Sequence, residues 1–113
     1  MKLVHNVLGT DYEILFGNRK MLKLKDEISG ECRVFSKTIK VCIDDDNCTT
    51  DKELEVKVQE IIAHGIFHAY INESGINLEP EVEELIATFF MKNWRKMNNS
   101  ILEVLDKAGL LDK

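Results

Sequence analysis

At Thr50 the spacing of apolar residues changes, and that switch constrains the fold of this chain more than any other feature. Before it, apolar residues come in short runs broken by turn signals. "KLVHNVLG" and "DYEILFG" read as strands separated at Gly9 and Thr10, and the second stops at Gly17-Asn18. "ECRVF" and "TIKVCI" flank Ser36-Lys37, so residues 31 to 43 predict a hairpin, with Ile39, Val41 and Ile43 alternating towards one face. Between these pairs "RKMLKLKDEIS" predicts a short helix ended by Gly30, and Asp44-Asp45-Asp46 predicts a solvated turn.

After Thr50 the period is helical. Thr50 and Glu53 have the spacing of a capping box, and Leu54, Val58, Ile61, Ile62, Phe67 and Ile71 follow at helical intervals until Gly75, a candidate C-cap. Pro80 suits the first position of a second helix through "EVEELIATFFMKNWRK", and Ser100 suits the cap of a third, "SILEVLDKAGLL". Antiparallel strands first and helices afterwards is the order of an α+β fold rather than of alternating βαβ units. At 113 residues the chain suits a single domain, residues 1–113.

Several function classes are disfavoured. The net charge of −5 argues against a nucleic-acid partner, because affinity for phosphate backbones rests on lysine and arginine. The N-terminal apolar patch is broken by His5, Asn6 and Gly9 and does not read as a signal peptide, and no run approaches a membrane span, so a cytoplasmic protein without a membrane partner is expected. Cys32, Cys42 and Cys48 match neither a C-x-x-C pair nor a zinc ribbon, and as thiols in predicted strands Cys32 and Cys42 read as small buried apolar residues. Lys92, Arg95 and Lys96 surround Trp94; they suit the C-terminal end of a helix for dipole reasons, while Trp94 and Arg95 are also residue types that anchor interfaces.

The chemistry is concentrated in "EIIAHGIFHAY", residues 60 to 70. At 3.6 residues per turn His64 and His68 share one helix face, so both imidazoles can reach one ion. Two histidines in an apolar helix can equally be neutral, hydrogen-bonded core residues, and the spacing alone does not decide between the two. Gly65, in the middle of the helix, costs about 1 kcal/mol relative to alanine, which calls for close packing, lost selection on a former catalytic residue, or an engineered change.

"EIIAHGIFHAYINESG" followed by "EVEELIATFF" resembles the ImmA/IrrE-like zincins of phages and mobile elements of Gram-positive bacteria, in which a run like HEIIHAFLFESGL precedes a helix like EEMVDWIALQF. "LGTDYEI" and "SGECRVFSKTIKVCI" resemble that family's first strands and hairpin, so the likeness spans nearly the whole chain. It implies a zinc cofactor held by His64 and His68, with the catalytic glutamate replaced by Gly65. Anchoring "IATFF" on the family's IALQF puts the third-ligand position at Pro80, which leaves Glu81 as the first-ranked substitute ligand and Glu84 as a residue that orients a histidine from behind, or as a ligand itself. Both glutamates also suit a helix N-terminus on dipole grounds alone. Glu60 and Glu73 are the other carboxylates weighed as replacement bases. The resulting expectation is a degenerate zincin that binds a cytosolic protein of a host's regulatory or defence machinery. The alternative is a zinc-dependent metallopeptidase with an altered site and a peptide substrate.

Overall fold

A computed structural model describes residues 1–45 and 47–111. Four strands precede two long helices: β1 (Lys2–Val7), β2 (Thr10–Gly17), β3 (Gly30–Arg33), β4 (Thr38–Cys42), α1 (Asp51–Ser74) and α2 (Pro80–Lys107). This is the α+β order expected from the change of period. β1 with β2, and β3 with β4, form antiparallel hairpins. The two hairpins meet through a parallel pairing of β2 with β4, Ile14 opposite Ile39 and Phe16 opposite Val41, so the sheet is mixed, in the order β1-β2-β4-β3.

Period-two alternation gives this sheet two apolar faces. Val7, Tyr12, Ile14, Ile39 and Val41 face α1 and enclose Ile61 and Ala69, with Phe16, Val58, Ile62 and Ile66 packed around them. The opposite face carries Leu15 and Cys42, covered by Leu22 and Leu24. That cover explains why residues 19–29 are turns and not the predicted helix. Leu22 and Leu24 both bury their side chains, whereas residues two apart on a helix point away from each other. Lys23 and Glu27 break any helical run with φ of 56° and 68°. Gly30, expected as a helix stop, instead begins β3, where an added Cβ would lie 2.4 Å from Ile61 Cγ2.

Three further expectations are corrected. Asp45 is buried, not solvated: it accepts a hydrogen bond from Ser29 Oγ at 2.5 Å and stands 3.8 Å from Arg19 Nη2, while Asp46 lies outside the described residues. α2 continues unbroken through Asn98, Asn99 and Ser100, because exposed polar residues lower helix propensity only slightly and the apolar spacing carries on across them. Lys92, Arg95 and Lys96 therefore lie three turns or more before the helix end, where only Lys107 is placed to complement the dipole.

The helix ends themselves follow the sequence signals. Thr50 Oγ1 accepts from Glu53 N–H at 3.1 Å, although the Glu53 carboxylate turns to Thr49 rather than completing the box. Gly75 takes φ 77°, and Pro80 opens α2. Among the described residues no helix is long and apolar enough to cross a membrane.

One polar cluster fastens the end of α1 to the sheet. Glu73 accepts from Tyr12 Oη at 2.6 Å, Lys37 Nζ at 2.7 Å, Thr10 Oγ1 at 2.8 Å and Asn72 Nδ2 at 3.0 Å. Lys37, then the two hydroxyl donors, hold the carboxyl down at about 2, and burial pushes the Tyr12 hydroxyl up to about 12. Because the folded value lies below the ordinary 4.5, the clamp contributes fully above that pH and is lost as pH falls towards about 2. Urea unfolding at stepped pH is expected to show Glu73→Gln less stable than the parent at neutral pH, with the difference closing below about pH 4. A constant difference across that range would contradict this.

Candidate metal centre

α1 serves two neighbours with different faces. Ile61, Gly65 and Ala69, spaced four apart, lie against the sheet, and the small side chains at 65 and 69 let the helix come close. An added Cβ at Gly65 would stand 2.7 Å from Ile39 Cγ2, closer than a real side chain tolerates, and Ile39 is itself 1% exposed. Of the three explanations for this glycine, close packing is the one with a visible partner. Position 65 is turned about 100° from His64 and points at β4.

The neighbouring face of α1 carries Glu60, His64, Phe67 and His68 towards α2, where Phe67 meets Phe90 with ring centroids 5.5 Å apart. His64 Nε2 lies 2.8 Å from Glu84 Oε1, and His68 Nε2 lies 3.0 Å from Glu84 Oε2, so one carboxylate spans both imidazoles. The rings themselves meet edge to face at 4.8 Å. His68 Nδ1 stands 2.5 Å from Glu83 Oε2.

His64, His68 and Glu84 form a group that could hold a metal ion, each offering one donor atom and all lying within 4.8 Å of one another. Ligand atoms about 2.0–2.2 Å from one ion stand about 3–4 Å apart, so only small side-chain shifts separate this arrangement from coordination. The donor chemistry fits as well. With Nδ1–H donated to Glu83, a neutral His68 presents its Nε2 lone pair to the site, the carboxylate–histidine arrangement that fixes a ligand's tautomer.

The structure thus brings Glu84, rather than Glu81, to the histidines. Glu84 lies four residues after Pro80, on the same face of α2. Glu81 is exposed and, among the described residues, makes no side-chain hydrogen bond or ion pair. Glu83, rather than Glu84, faces the second ring nitrogen of His68, a contact that the sequence reading missed; the signal was the adjacent acidic pair one turn after Pro80. Neither alternative base is free for the site: Glu60 pairs with Lys92 Nζ at 2.9 Å, and Glu73 belongs to the Tyr12 clamp. Burial pushes the Cys32 thiol up to about 11 and raises that of Cys42, consistent with packing and not nucleophilic roles.

Trp94 and Arg95 stand apart from this centre. The guanidinium lies 5.6 Å from the indole centroid, and both residues line a groove of about 360 Å³ with Gln59, Ile62, Ala63, Ile66 and Phe90.

Comparison with protein-family models, curated proteins and solved structures gives no match to this chain. The assignment of a function therefore rests on the geometry and on the sequence likeness alone.

Gly65→Ala tests the packing explanation. Overpacking against Ile39 costs about 1–3 kcal/mol, and alanine returns about 1 kcal/mol of helix propensity, so a net loss of up to about 2 kcal/mol is expected in chemical denaturation. In the Ile39→Ala background, where Cγ2 is gone, the same change is expected to be neutral or stabilising. Equal losses in both backgrounds would contradict the close-contact account.

Proposed function

We propose that this protein is a zincin-like metal-binding protein that has lost, or nearly lost, hydrolytic activity and acts by binding another protein in the cytosol. The observation that carries this reading is the joint state of the two positions on α1: His64 faces Glu84 across a donor set suited to zinc, while Gly65 is packed against Ile39 and supplies no base. Zinc fits two imidazoles and a carboxylate, with a fourth position open. When bound, it would supply a Lewis acid at the cleft between α1 and α2.

The chain's own residues do the rest. Glu83 holds the ring of His68, Glu84 bridges the two imidazoles, and the cleft beside them would receive a partner's side chain. Loss of a general base costs about 10²- to 10⁴-fold in rate, which makes efficient turnover unexpected here. The identity of the partner as host regulatory or defence machinery rests on the resemblance to phage and mobile-element zincins. The rival reading, a peptidase with an altered site, draws support from the intact donor set but needs a carboxylate not already engaged by His64, His68, Lys92 or the Tyr12 clamp.

One measurement tests the ligand set and a second separates the two readings. Purified protein is expected to retain about one zinc per chain, lost in His64→Ala and Glu84→Gln, unchanged in Glu81→Gln, and weakened about 10- to 100-fold in Glu83→Gln. Incubated with zinc and a peptide library, it is expected to give no EDTA-sensitive cleavage by mass spectrometry. Cleavage that zinc restores after EDTA treatment would overturn the binding-protein reading in favour of the peptidase. Zinc retention unaffected by Glu84→Gln would overturn the ligand set.

A further inference from the structure

Beyond the metal centre, α1 and α2 do not close completely on one another. Ala63 shares a groove of about 360 Å³ with Phe90 and Trp94, and its side chain is too short to fill the space between the helices. A volume of this size, lying between two helices, is in the range of small-molecule sites. Ile62 and Ile66, each two residues from His64, point to the other side of α1, so the groove is separate from the metal centre.

The groove has an apolar end and a cationic end. Ile62, Ala63, Ile66 and Phe90 line the first. At the other, Gln59 of α1 and Arg95 of α2 line both the groove and an adjoining depression that Lys92 and Lys96 border. Glu60, the carboxylate in that depression, is held by Lys92 Nζ at 2.9 Å. Among the described residues the side chains of Gln59, Arg95 and Lys96 make no hydrogen bond or ion pair, so an amide and two cations stand ready for an outside group. The helix dipole does not account for these cations, which lie three turns or more before the end of α2. Arg95 is held at the groove by Trp94, its guanidinium 5.6 Å from the indole centroid.

We propose that this groove binds an aliphatic carboxylate, its tail along Ile62, Ala63, Ile66 and Phe90 and its head at Arg95 and Gln59. The paired N–H donors of a guanidinium and a side-chain amide match the two oxygens of a carboxylate, and Lys96 adds a second positive charge beside them. From Gln59 to Ile66 the helix rises about 10 Å, which suits an extended chain of about eight to ten carbons.

Trp94 is the sole tryptophan and reports on the groove directly. Titration of the full chain with decanoate, below its micelle concentration, is expected to shift the emission to the blue and to saturate at about one ligand per chain. Acetate, which lacks the tail, is expected to give no shift, and decyltrimethylammonium, with the same tail and the opposite charge, to bind at least about tenfold more weakly. Arg95→Gln, at an exposed position, is expected to keep the helical circular dichroism spectrum, to weaken decanoate about tenfold and to leave decanol within about twofold. A carboxylate is also a zinc ligand, so the titration is repeated after EDTA treatment, with the same affinity expected. Binding lost with the metal would place the carboxylate at His64 and His68 and overturn the proposal. Affinity indifferent to both head-group charge and Arg95→Gln would overturn it too, as would a chain that takes up no decanoate, including one whose groove accepts an acidic peptide instead.

Discussion

The contact of Gly65 with Ile39 sets the distance between α1 and the sheet, and the remaining geometry depends on that distance. With a side chain at 65 the helix would have to lift from β4, and the core of Val7, Tyr12, Ile14, Val41, Ile61 and Ala69 would open with it. The same contact fixes the roll of α1. Once the 61-65-69 row lies on the sheet, His64 and His68 are turned towards α2 and nowhere else. The Glu73 clamp secures the far end of the helix against twisting, through hydroxyl donors on β2 and Lys37 just before β4.

Site and core are thus competing claims on neighbouring positions. A glutamate after the first histidine would serve hydrolysis, but in this chain that position is spent on helix–sheet packing. The donor set of His64, His68 and Glu84 is compatible with that packing because it uses a different face of α1. Its third member is Glu84, one turn along α2 from Pro80. Glu83, next to it, faces the second nitrogen of His68. The arrangement can bind an ion and orient its ligands without carrying a free base beside it, which is the physical content of the binding-protein reading.

Much of this was legible from residue types and spacing. The hairpins, the start and stop of α1, the proline at the head of α2 and the shared face of His64 and His68 all follow from local rules that tertiary contacts did not override. Other features were hidden because they depend on what a residue meets across the fold. Leu22 and Leu24 looked helical until the second face of the sheet needed covering. Asp45 looked solvated without knowledge of Ser29 and Arg19. Asn98, Asn99 and Ser100 looked like a break because polar residues cap helices as readily as they ride exposed on them. Glu81 and Glu84 could not be ranked from the sequence, since one residue of helix is 100° of rotation and the choice depends on how α2 lies against α1.

The most direct test of the central claim is zinc K-edge X-ray absorption on the zinc-loaded protein, beside its Glu84→Gln variant. Two imidazoles and a carboxylate oxygen at about 2.0–2.2 Å from the metal are expected in the parent, with the carboxylate contribution lost in the variant. A shell of oxygen ligands without imidazole scattering, or a spectrum unchanged by the substitution, would show that His64, His68 and Glu84 do not form the metal centre.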